Sequence, residues 1–121
     1  MATHGSHERT LTTIEGTVVC PRCCIAKDPL TRMRGLLGRK QLAEGEGILL
    51  RPASSVHTWF MLFPIDVVFL DRDLRVLRVV PRLGPWRAAW RRGAAAVLEL
   101  AAGECAVRGL AVGDRLDWLA A

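Results

Sequence analysis

The run Ile65-Asp66-Val67-Val68-Phe69-Leu70 places the tightest constraint on how this chain folds. Pro64 precedes it and Asp71-Arg72-Asp73 follows it. β-Branched and aromatic residues suit a pleated, half-buried surface, so the run predicts a strand. Residues 74–80 repeat the pattern, and the pair predicts a hairpin about Asp71-Arg72-Asp73. Strand side chains alternate between faces. Asp66 therefore shares a face with Val68 and Leu70, opposite Ile65, Val67 and Phe69. A carboxylate in such a core-like strand is costly unless it is paired. Arg34, His57 or a backbone amide are the candidate partners.

The rest of the chain reads mainly as further short strands. Residues 10–19 predict a strand bent at Gly16, and Cys20-Pro21-Arg22-Cys23-Cys24 predicts a tight turn. Asp28-Pro29 opens a helix that carries Leu30, Met33, Leu36 and Leu37 on one face and stops at Gly38. Strands are expected over 48–51, 56–61, 95–100 and 115–119, with a short helix within 103–109. Residues 81–93 are expected to be a long basic loop broken by Pro81, Gly84 and Pro85. The fold class is α+β: a small β-rich domain with a mostly antiparallel, curved or barrel-like sheet and one or two short helices. Residues 1–9 are expected to form a disordered tail, and residues 10–121 one globular domain.

By this stage several blocks, in order, resemble the domain-of-unknown-function 192 family. They are Arg34-Gly35-Leu36-Leu37-Gly38-Arg39, the stretch from Gly45 through Gly47 to Leu50, Trp59-Phe60-Met61, and Pro64-Ile65-Asp66 with the strand that follows. Val97-Leu98-Glu99-Leu100, Gly103, Gly109-Leu110 and Val112-Gly113-Asp114 complete the set. Together they cover residues 25–118. The resemblance implies a small, single-domain, β-rich protein and names no activity. It also implies a Lys-Asn pair before the proline, where this chain has only Leu62-Phe63. The Cys-rich stretch is not part of the family pattern.

Composition narrows the function classes. Half of the 121 residues are hydrophobic and 24% are charged, which is a globular balance. The net charge is +5, with basic residues spread along the chain rather than collected in a tail. Scattered charge is a weak footprint for nucleic acid. No apolar run approaches the roughly 20 residues of a membrane helix. The N-terminus lacks the apolar core of a signal peptide. A cytoplasmic monomer with no membrane partner is the expectation.

Three constellations are candidates for chemistry. The first is a pocket lined by Arg34, His57, Trp59, Asp66 and Glu99, with His57, Trp59 and Met61 on one strand face. Histidine exchanges protons near neutral pH, and a carboxylate beside it could hold its tautomer. The second is Cys20-x-x-Cys23, which has the spacing of a zinc knuckle or redox pair. Only Cys105 and His57 are available to complete the ligands, so zinc is not favoured, no cofactor is expected and buried thiols are the simpler reading. The third is the basic loop with Arg82, Trp86, Arg87, Trp90, Arg91 and Arg92. It could stack bases and grip phosphates. The simpler expectation is that its indoles anchor the loop to the core while the Arg heads reach into water.

No nucleophile elbow or phosphate-binding glycine loop is present. The expected function is therefore a non-enzymatic binding or accessory module, contacting an unidentified ligand or protein around His57, Trp59 and the Arg-Trp loop. The alternatives are an enzyme using His57 with Asp66 or Glu99 as acid and base, and a nucleic-acid binder acting through residues 81–93.

Overall fold

A computed structural model describes residues 8–26 and 42–120. The described residues form nine strands and one four-residue helix. The strands are β1 (Arg9–Thr13), β2 (Val18–Ala26), β3 (Glu46–Leu50), β4 (Ser55–His57), β5 (Ile65–Leu70), β6 (Val76–Leu83), β7 (Ala88–Trp90), β8 (Ala96–Ala101) and β9 (Leu116–Trp118). The helix, α1, spans Glu104–Val107. The regular structure of the described residues is thus almost entirely β, as the β-rich reading expects, rather than clearly α+β. The helix expected from Asp28 and the candidate site residue Arg34 lie outside the described residues.

Seven strands form one curved sheet in the order β6-β5-β8-β3-β2-β1-β9. Its pairs are antiparallel except β2 with β3. A parallel pair needs a crossover rather than a tight turn. The two edges of the sheet approach one another through a bridge between Arg75 and Arg115. The Val76 N–H donates to the Asp114 carbonyl at 2.8 Å, and the Leu116 N–H to the Leu74 carbonyl at 2.9 Å. β4 and β7 make a separate two-stranded ribbon.

The expected hairpin is present as β5 and β6, and Asp71 forms its turn. The Asp71 Oδ1 accepts the Asp73 and Arg75 N–H groups at 2.8 and 2.9 Å, so the side chain stands in for a backbone turn. The alternation read from the sequence also holds. Val68 and Leu70 enter one apolar cluster with Leu98, Leu100, Leu11 and Cys105. Ile65, Val67 and Phe69 enter a second with Val97, Val56, Met61 and Phe63. Every residue of β5 and β8 is buried, because the sheet is covered on both sides. Each buried Leu, Ile, Val or Phe contributes on the order of 1.5–3 kcal/mol.

Four local expectations are corrected. Cys20 to Cys24 lie within β2 rather than in a turn. Two residues of β1, from Arg9 to Leu11, step past three of β2, from Cys20 to Cys23. Such a bulge lets side chains three apart face the same way, and Cys20 and Cys23 are both buried. The strand expected over 56–61 ends at His57, and residues 59–60 form a turn. The expected loop 81–93 instead contains the end of β6 and all of β7. β1 also begins at Arg9, the last residue of the expected tail.

Candidate binding surface

Thr58 organises the most unusual surface of the molecule. It is fully buried at the end of β4. Its hydroxyl donates to the Gly84 carbonyl and accepts the Arg87 N–H at 2.9 Å. Its own N–H donates to the Arg87 carbonyl at 2.8 Å, and its carbonyl accepts the Trp86 and Met61 N–H groups at 3.0 and 3.2 Å. One side chain therefore ties the turn after β4 to the turn before β7. Met61 and Phe63 point into the second cluster. The residues between and before them point out.

What the two turns display is aromatic and apolar. Trp59 is 50% exposed, Phe60 60%, Leu62 66% and Trp86 60%. The Phe60 and Trp86 rings meet edge to face with centroids 4.7 Å apart. Both residues have positive φ, 68° and 60°. Such backbone is uncommon for bulky residues and is held only where surrounding structure dictates it. Farther along the ribbon Trp90 is 67% exposed. It pairs with Ser55 while Ala88 pairs with His57, and Val56 and Ala89 face the core. The outward face of the ribbon thus carries Trp90 and His57 at diagonal positions. The His57 ring stacks on Trp59 with centroids 4.6 Å apart and planes inclined by 29°. These exposures overturn the expectation that Trp86 and Trp90 anchor their segment to the core.

Charge on the two segments that build this face has one sign. Residues 51–63 and 81–95 contain Arg51, Arg82, Arg87, Arg91 and Arg92 and no Asp or Glu. All five are exposed, but the Arg82 guanidinium lies beside Gly103 at the Asp66 cap, which leaves Arg51, Arg87, Arg91 and Arg92 to the ribbon side. Arg78 reaches in from β6 and donates to the Trp90 carbonyl at 2.7 Å.

The pocket expected around His57 is divided by the sheet. Asp66 is fully buried on the side of the first cluster. Its Oδ1 accepts the Arg82 and Gly103 N–H groups at 2.9 and 3.0 Å, and its Oδ2 accepts the Cys105 N–H at 2.9 Å. Backbone amides are therefore its partners, and they bind the end of β6 to the start of α1. Gly103, with φ 94°, turns the chain so that its N–H reaches the carboxylate. Glu99 pairs with Val67 and Ile48, and its strand neighbours Val97 and Ala101 lie in the second cluster. Asp66 and Glu99 thus occupy opposite sides of the sheet. His57 and Trp59 come together, whereas Asp66 is not placed to serve His57 as an acid–base partner.

The cysteines are free thiols. Cys20, Cys23 and Cys105 are buried in the first cluster. A hydrogen bond with Cys20, followed by burial, pushes the Cys23 thiol well above its ordinary range. Burial, and then the charge of Asp66, pushes Cys105 up to about 12. Neutral, buried thiols are poor nucleophiles. Among the described residues no group of three or more His, Cys, Asp or Glu could hold a metal ion. Glu104 is engaged as well, accepting the Gly45 N–H at 3.0 Å and pairing with Arg108 at 3.3 Å.

Residues 10–118 match the model of the domain-of-unknown-function 192 family, described as Uncharacterized ACR. The chain belongs to this family. A UPF0127 protein of Thermococcus sibiricus is 32% identical over 109 residues, covering 86% of this chain and 70% of that protein. A UPF0127 protein of Pyrococcus abyssi is 37% identical over 67 residues, covering 54% of this chain and 56% of that protein. A solved protein of unknown function from Novosphingobium aromaticivorans superposes with TM-score 0.75 at 26% identity, covering 92% of this chain and 84% of the other. A solved protein from Sinorhizobium meliloti, described as a candidate transcription regulator, gives TM-score 0.78 at 28% identity and 92% coverage of both chains. Several residues that carry the resemblance to this family do structural work here. Gly47, Asp66, Gly103 and Asp114 set a close strand approach, a buried cap, a left-handed turn and the Ala111–Asp114 turn respectively.

Sequence reasoning missed Thr58, Phe60 and Leu62. The signal available was the apolar stretch Trp59-Phe60-Met61-Leu62-Phe63, too apolar throughout for one strand with a polar outer face.

Proposed function

We propose that this protein is a non-enzymatic binding module whose contact face is the aromatic, arginine-flanked end of the β4–β7 ribbon. One observation carries the reading: Trp59, Phe60, Leu62 and Trp86 stand exposed together on two turns locked by the buried Thr58. Large apolar side chains grouped on a surface mark interaction sites, whereas single ones do not. Trp and Arg are also the residues most often found at binding hot spots. A rigid platform loses little entropy when it binds, and the Thr58 hydrogen bonds supply that rigidity. No membrane-crossing helix is present among the described residues.

The four indoles provide the test. Trp59, Trp86 and Trp90 lie on the proposed face, while Trp118 lies under the Arg9 guanidinium on β9, 4.8 Å from ring centroid to Cζ. Indole N–H signals are followed by NMR as an oligo-dT strand, an acidic peptide or anionic lipid is added. A shift of the first three with Trp118 unmoved supports the reading. No response to any probe, or a response centred on Trp118, overturns it.

Nucleic acid is the second reading. Exposure of Trp86 and Trp90 in one segment with Arg87, Arg91 and Arg92 favours it, as does the description of the Sinorhizobium neighbour. Binding to oligo-dT must then weaken steeply with salt, because neutralised phosphates release counterions. Binding that ignores salt, or none at low salt, removes this reading.

A further inference from the structure

We propose that the contact face docks on the surface of an anionic lipid bilayer, with Trp59, Phe60, Leu62 and Trp86 entering the interface and the arginines meeting lipid phosphates. The inference rests on the binding-surface reading and names its partner.

Three features favour a bilayer over the other occupants. The first is the kind of apolar group. Leu62 is as exposed as the indoles, and an aliphatic side chain gains from entering lipid but has no face on which a base can stack. The second is ring availability. His57 covers one face of Trp59, and Phe60 and Trp86 meet each other edge to face. That arrangement makes a compact apolar tip rather than a row of free π-faces. The third is charge. With Arg82 turned to Gly103, the two segments that build the face still hold four exposed arginines, Arg51, Arg87, Arg91 and Arg92, and no carboxylate. Trp and Tyr favour the headgroup level of membranes, and each basic side chain near an anionic surface adds to the attraction. An apolar tip on segments whose charge is all arginine matches a surface that is apolar below and negatively charged above. Such docking requires no membrane-crossing segment, and it departs from the expectation of no membrane partner.

The full chain is mixed with vesicles of phosphatidylcholine alone or with roughly 30% phosphatidylserine, then sedimented, with tryptophan emission recorded in parallel. The expected result is sedimentation and a blue-shifted emission with the anionic vesicles and neither with the neutral ones. Leu62→Ser is expected to lower partitioning roughly tenfold or more. Arg87→Ala is expected to lower it about fivefold. Trp59→Ala is expected to reduce the blue shift and to lower partitioning, and Arg9→Ala on β1 to leave partitioning unchanged. Circular dichroism shows whether each variant keeps the wild-type fold. Failure to bind anionic vesicles, or binding unchanged by Leu62→Ser and Trp59→Ala, overturns the lipid assignment. If oligo-dT or the acidic peptide still shifts the three indoles, the binding surface survives with another partner. If no probe shifts them, both proposals fall.

Discussion

The Phe60 and Trp86 rings touch edge to face, 4.7 Å between centroids, although each is carried by backbone in the left-handed region. Folding stability alone does not favour that combination. Edge-to-face aromatic pairs contribute about 0.5–1.5 kcal/mol, while a left-handed bulky residue costs on the order of 1–3 kcal/mol. Glycine adopts such backbone without steric cost. Phe60→Gly is therefore expected to leave the melting temperature within a few degrees of wild type, or to raise it, while weakening binding at this face. Calorimetry and the indole titration check the two halves separately. A large loss of stability would show that the rings serve the fold.

Thr58 makes the complementary case. Thr58→Val keeps the shape of the side chain and deletes the hydroxyl that serves Gly84 and Arg87. Those groups are part-buried, so losing their partner costs roughly 0.5–1.5 kcal/mol. Urea unfolding is expected to show that loss, and hydrogen exchange is expected to speed up at Arg87 more than in β5.

Asp66 is expected to be the most sensitive buried polar residue. Asp66→Ala strands three N–H groups, those of Arg82, Gly103 and Cys105. The expected destabilisation is about 3 kcal/mol or more, read from a denaturant midpoint. A variant that melts like wild type would show that the carboxylate is not a structural cap.

Gly47 permits the close approach of β3 to its neighbours. A Cβ there would lie 2.6 Å from the Cys20 Sγ and 2.8 Å from the Leu100 Cδ2. Gly47→Ala is expected to cost about 1–3 kcal/mol through overpacking. Adding Cys20→Ala removes the nearest atom, so the double variant should be more stable than the two single effects predict. A double-mutant cycle measures that coupling, and strict additivity would contradict the contact.

Alkaline pH should weaken the fold through its thiols. Cys105 is pushed from its ordinary 9.0 up to about 12, first by burial and then by Asp66. Below pH 9 the thiol is protonated in both folded and unfolded chains. Above it the unfolded chain loses the proton and the folded one keeps it, so stability falls as pH rises from 9 towards 12. Cys105→Ala is expected to show a shallower fall than wild type over that interval in pH-dependent thermal melts.

Local pattern was enough for the β5–β6 hairpin, since its alternation, Pro64 and the Asp71 turn all act within neighbouring residues. The same holds for β8 and α1. Local pattern failed at Cys20 to Cys24, where the bulge depends on the register with β1. It failed again at residues 58–61, where hydrogen bonds from Thr58 to residues 84–87 end the strand early.

By itself the sequence determined that this chain is β-rich, that its central strands alternate about a buried hairpin, and that Asp66 had to find a partner. Periodicity and desolvation act residue by residue, so both can be read along one dimension. Tertiary structure alone decided that this partner is a set of backbone amides on the far side of the sheet from the ribbon. It also decided that Trp59, Phe60, Leu62 and Trp86 share one exposed tip. Both outcomes depend on which distant segments pair, and strand pairing brings together residues that no local pattern links.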